Sequence, residues 1–253
     1  MNLAPTERLI DQAIKAAKHG RVRRYLADSA GSVKPVNERT LRNHFAVFTS
    51  RAQKLDVCTQ AYGLMRSLNG LYRTRYSIEK ISSLSPLIYA AIRDRHWWRK
   101  PPARIADASE SEVQETISIV PAILKETAEA NLDRPYSLVT KFLHFSFPDT
   151  FGIYDARAAS SIQTWAYFSF PLSNDEWKQF ACGAIANPDG SGYGAVLEFY
   201  RLCWACAGDK RLADLSLAAQ ELSRDIEAPV SPLYVIDNLL WHSSGDPRAL
   251  GLL

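Results

Sequence analysis

A chain of 253 residues can bury a full core, in one large domain or two small ones, and 47% hydrophobic with 23% charged residues excludes wholesale disorder. The net charge of +3 hides an asymmetry: residues 1–104 hold 20 Lys and Arg against 7 Asp and Glu, and residues 105–253 hold 10 against 20. The first stretch attracts phosphates and the second repels them, unless the two pack together and neutralise each other.

Charges within Met1 to Arg8 argue against a signal peptide, and no apolar run approaches the roughly 18 residues of a membrane span, so a cytoplasmic protein is expected. Residues 7–30 have helical spacing through Leu9, Ile10, Ile14 and Ala17, ending near Arg21, Arg23 and Arg24, before Gly31 to Pro35 interrupts. Asn37 is placed to cap a long amphipathic helix carrying Leu41, Phe45, Phe48, Leu55 and Tyr62. Gly70 to Ser77 reads as a joint, and Ile78 to Trp98 as one or two helices stopped by Pro101-Pro102. Ser109 opens a helix to Ala130, with Pro121 marking a kink. Beyond a central segment, Ser173 to Glu176 matches a capping box ahead of a helix over Trp177 to Ile185, and Asn187 to Gly194 is a turn. Helices are predicted over Ala195 to Ala207 and Leu212 to Ile226, and a last one starts at Ser231-Pro232. With no alternating run long enough for a sheet, the fold class is all-α and multi-helix, divided into a basic helical N-terminal region at 1–76 and a second helical domain at 77–253.

Four cysteines, Cys58, Cys182, Cys203 and Cys206, are too few and too unevenly placed for a disulfide scaffold. Cys203 and Cys206 form a C-x-x-C pair inside an apolar helical run, with no second pair or histidines at ligand spacing. They read as reduced structural thiols; no metal or other cofactor is expected.

The central segment, Tyr136 to Trp165, carries the chemistry. On a helix Ser137, Thr140, Lys141 and His144 share one face, and Leu138, Phe142 and Phe145 share another. Either the polar stripe faces water or it forms part of a site. Pro148 ends that helix, Phe151 to Tyr154 is extended, and Asp155 is placed as the N-cap of a helix through Trp165. A helix N-terminus favours the ionised carboxylate, and Lys141 is positioned to face it.

A lysine on an apolar helix, a short proline-bearing connection, and an aromatic approach to an Asp that starts the next helix resemble the helix-hairpin-helix DNA glycosylase superfamily. Ser137 to Phe145 with Phe151 to Asp155 is similar to bacterial proteins of the 8-oxoguanine DNA glycosylase fold, and Ser231 to Trp241 resembles their closing helix. The resemblance implies a glycosylase-like core and a base-excision activity, with or without lyase activity. Lys141 would be the amine nucleophile at the sugar C1′, forming a Schiff base, and Asp155 would stabilise the charge that builds on the sugar. The target base would be flipped from duplex DNA into a pocket, with His144, Phe145, Tyr154, Trp165 and Trp241 as candidate walls. Two departures stand out: residues 131–136 hold no glycine for a phosphate-gripping hairpin, and the 14 positions from Lys141 to Asp155 demand a tight connection.

Arg93, Arg95, Trp97, Trp98, Arg99, Lys100 and Arg104 crowd five cations and two tryptophans into twelve residues. The mixture suits phosphate contact with stacking on bases; equally, the tryptophans can anchor a helix end while the cations stay solvated. The expected partner is duplex DNA, the alternative being a non-catalytic DNA-binding or protein-interaction module on the same scaffold, for example in bacterial defence.

Overall fold

The computed structural model describes residues 1–19, 38–52, 58–72, 76–130, 132, 135–171, 173 and 175–253. Among them the protein is all-helical, without strands. The helices are α1 (Ala4–His19), α2 (Glu38–Ala52), α3 (Cys58–Tyr72), α4 (Ile78–Asp94), α5 (Glu110–Glu129), α6 (Tyr136–Ser146), α7 (Ala156–Ser169), α8 (Cys182–Ile185), α9 (Tyr193–Ile226) and α10 (Pro232–Ser243), with a 3₁₀ turn at Asp175–Phe180. None is long and apolar enough to cross a membrane.

Local signals act where they are complete. Ser109 and Glu112 form a reciprocal capping box, Asp155 accepts from the Arg157 N–H, and Ser231 caps α10 with Pro232 in its first turn. Elsewhere packing overrides them. The predicted helix at 7–30 begins earlier, at Ala4, and runs to His19, while Arg21, Arg23, Arg24, Gly31 to Pro35, Asn37 and Leu55 lie outside the described residues. The long stretch from Leu41 to Tyr62 is two helices, α2 and α3. Gly70 is helical, within α3, and the Asn69 side chain bonds both the N–H and the carbonyl of Tyr76. Helix α4 stops at Asp94, ahead of Pro101-Pro102, because His96 adopts a positive φ of 58° and folds Trp97 and Trp98 back inward. Pro121 lies within an unbroken α5. In place of a helix over Trp177 to Ile185 there are the 3₁₀ turn and α8. The two helices expected at 195–226 are α9, kinked at Gly208, where φ is 73°.

Helix α1 packs on α9 and α10, α2 and α3 pack on α6, and α7 packs on α10. One hydrophobic core therefore draws on residues from Leu9 to Leu252. Charges join the same parts: Arg211 pairs with Glu7 and Asp11, and Arg39 pairs with Glu227.

Glycines in two settings test this packing. A Cβ on Gly152 would run into the Tyr200 ring, so Gly152→Ala should destabilise by about 1–3 kcal/mol. Gly63, within α3, has nothing near its missing Cβ, so Gly63→Ala should stabilise by about 0.5–1 kcal/mol. Urea unfolding midpoints should move in opposite directions.

Candidate active site

The segment between α6 and α7 leaves the helix at Phe147 and is neither helix nor strand from Phe151 to Tyr154, so most of its peptide groups lack helical partners. Side chains supply them. The Phe151 carbonyl lies 2.6 Å from His144 Nδ1, and the Gly152 carbonyl accepts from the Tyr193 hydroxyl at 2.7 Å. The Ile153 N–H donates to Asp237 at 3.2 Å, and the Tyr154 N–H donates to Thr140 Oγ1 at 3.1 Å. The polar face of α6 thus turns inward: Thr140 and His144 hold the connector, and Ser137 accepts from the Lys141 amine at 2.5 Å.

This arrangement brings Lys141 and Asp155 together. Lys141, only 3% exposed, places Nζ 3.7 Å from Asp155 Oδ2 and 5.2 Å from the centre of the Tyr72 ring. The carboxylate of Asp155 caps α7, and its side chain keeps 27% of its surface in solvent. The pair faces a cleft lined also by Tyr72, Ile153, Ala158, Tyr234, Asp237, Asn238 and Trp241. Arg157 lies over the Trp241 ring, 4.6 Å from its centre, on the turn that Asp155 caps.

The same cleft is lined by a second polar group. Asp237, fully buried, accepts from the Tyr200 hydroxyl as well as from Ile153. Burial pushes its carboxyl up to about 7, against the opposing pull of Tyr200, the Ile153 N–H, Lys141 and Arg42. Burial, followed by the charge of Arg42, brings the His144 imidazole down to about 3. His144 is therefore neutral near pH 7, and since the Phe151 carbonyl can only accept, its proton sits on Nδ1. The 3.6 Å approach of Nδ1 to Asp237 is then no ion pair. Arg42 lies 3.5 Å from the centre of the Tyr234 ring and donates to the Pro229 carbonyl.

The residues named from sequence divide. Lys141, Asp155 and Trp241 line the cleft. His144 and Phe145 are buried beside it without lining it, and Tyr154 stacks on Tyr136 at 4.0 Å. Trp165 is core: it is fully buried among Phe170, Phe180 and Phe199, and its indole N–H donates to Thr6, so it cannot wall a pocket. Trp97 and Trp98, 4% and 3% exposed, pack on Phe147, Phe151 and Tyr89 and present no face for stacking on a base. The cations around them stay outside. Arg93 pairs with Asp94 and Arg104 with Asp107, Arg95 is half-buried against Trp97, and Arg99 and Lys100 are exposed.

Sequence reasoning did not find Tyr72, Tyr234, Asp237 or Asn238. An acid inside the apolar run Leu233 to Leu240 was the available signal, since a carboxylate is seldom fully buried without partners. The four cysteines are free, and no cluster of His, Cys, Asp and Glu suited to a metal gathers among the described residues. Compared with known proteins, the chain matches no family model, no curated sequence and no solved structure.

Asp237 binds more protons folded than unfolded between its ordinary pKa and about 7, so its contribution to stability falls as pH rises through that window. Asn at this position has no such term. The stability of wild type relative to Asp237→Asn should decline from acid pH toward neutrality and level off above about 7, read from urea unfolding at a series of pH values.

Proposed function

We propose that the protein acts on DNA as a lysine-dependent base-excision glycosylase, with Lys141 as nucleophile and Asp155 as its electrostatic partner. The observation that carries the reading is the buried amine 3.7 Å from a helix-capping carboxylate, at an aromatic cleft. Burial disfavours the charged amine and Asp155 at 3.7 Å favours it; the resting ammonium must give its proton to water before the free amine can act as nucleophile. Attack of neutral Nζ on C1′ forms a C–N bond as the glycosidic bond breaks and the base departs with its electron pair. Loss of a proton from nitrogen and opening of the sugar ring then give a Schiff base. Asp155, at the head of α7, places a carboxylate where it offsets the positive charge that develops on the sugar. Tyr72 and Trp241 supply aromatic surface for an extruded base.

Support from charge is separate. Arg99 and Lys100 are exposed and have no carboxylate within ion-pair distance among the described residues, and Arg157 adds a cation at the cleft. The burial of Trp97 and Trp98 removes a stacking platform, so in the alternative, a non-catalytic DNA-binding or protein-interaction module, any DNA contact would rest on the exposed cations.

Two experiments separate these readings. Borohydride should trap the wild type on a duplex containing a damaged or abasic nucleotide, and Lys141→Gln should abolish trapping; a variant that still traps sinks the assignment. Removing Arg99 and Lys100 together should weaken duplex binding and lower the salt slope by about 1 to 2. The non-catalytic module predicts the same salt-dependent binding, unaffected by Lys141→Gln and with no trapping on any duplex.

A further inference from the structure

Asp237 lines the same cleft as the reactive pair. It belongs to α10, and its carboxylate reaches across to the N–H of Ile153, two residues ahead of Asp155. Both oxygens of Asp237 lie within 3.4 Å of that nitrogen, and the Tyr200 hydroxyl of α9 holds one of them. The neighbouring peptide groups are fixed by Tyr193, His144 and Thr140, none of which carries a charge at neutral pH. The hold on Ile153 is the one in which the acceptor is itself ionisable.

We propose that Asp237 is a positioning residue for the Lys141–Asp155 pair: by gripping the Ile153 N–H it fixes the end of the connector, and with it the place where the Asp155 carboxylate meets the amine. The proposal rests on the reading of that pair as the reactive centre. A carboxylate offers only acceptors to this N–H, whereas a carboxylic acid puts a donor among them and weakens the grip. Its titration near neutrality therefore couples the geometry of the pair to pH. The groups that face it set the midpoint. From α6 these are Lys141 and His144, from α9 Tyr200 and Tyr193, and from α2 Arg42. The two cations and the Tyr200 hydroxyl favour the carboxylate, while burial opposes it.

The test uses the full chain and two variants, Asp237→Asn and Tyr200→Phe. Side-chain NMR should follow the Asp155 carboxyl carbon and the Ile153 amide proton across neutral pH. In the wild type both signals should move with a shared midpoint near 7. The transition should vanish in Asp237→Asn and shift to higher pH in Tyr200→Phe, because the hydroxyl favours the carboxylate. Either signal failing to move at neutral pH in the wild type, or moving unchanged in both variants, overturns the proposal. Tyr200→Phe decides alone if Asp237→Asn does not fold. Borohydride trapping on an abasic duplex is the second arm. The wild-type rate should follow the same midpoint, and Asp237→Asn should trap roughly tenfold more slowly with a flattened profile. Trapping with an identical pH profile in wild type and Tyr200→Phe also overturns the proposal. The NMR transition without trapping in any form leaves the positioning role standing and removes the base-excision reading instead.

Discussion

Buried peptide groups need partners, and a connector that is neither helix nor sheet must find them in side chains. Between Phe151 and Tyr154 two carbonyls and two N–H groups are bonded by His144, Tyr193, Asp237 and Thr140. Three helices contribute, and each donor or acceptor left unpaired would cost about 1–3 kcal/mol. That network confines the chain to one path, and the path ends at Asp155. Gly152 belongs to the same constraint, because the Tyr200 ring that serves Asp237 fills the space a side chain would need.

The electrostatics follow from this frame. An amine as buried as that of Lys141 is costly unless it is paired or loses its charge. Ser137 and Asp155 lie within reach of it, with the Tyr72 ring above. Asp237 and Arg42 lie deeper, and the neutral imidazole of His144 sits between charges without adding one. The region holds two acids and two cations in a volume where water is mostly excluded, and Lys141 meets Asp155 where the cleft opens.

Much of this was legible in the sequence, and the remainder was hidden for physical reasons. The all-α class followed from helical spacing and the lack of alternating runs. Asp155, Ser109 and Ser231 announced themselves because a cap depends on neighbours a few residues away. Trp97 and Trp98 stayed undecided between core and surface, and Trp165 was offered as a pocket wall, because an indole has the same local pattern in both settings and only the packing of distant Phe147, Phe180 and Phe199 decides. Tyr72 and Asp237 escaped because they meet the site across long stretches of chain. Pro101, placed to end α4, proved unnecessary because the turn at His96 had already buried both tryptophans.

The wide spacing of the connector's partners also bears on how the molecule assembles. His144 and Thr140 emerge from the ribosome almost with the connector, but the acceptor for the Ile153 N–H comes 84 positions later. Loop closure over such a span is slow relative to the local turns of α6 and α7. Lys141 and Asp155 are thus synthesised early as neighbours on an unanchored chain, and their mutual geometry is acquired late, when α10 docks. The final geometry of the pair therefore depends on a residue that lies 84 positions beyond the connector it holds.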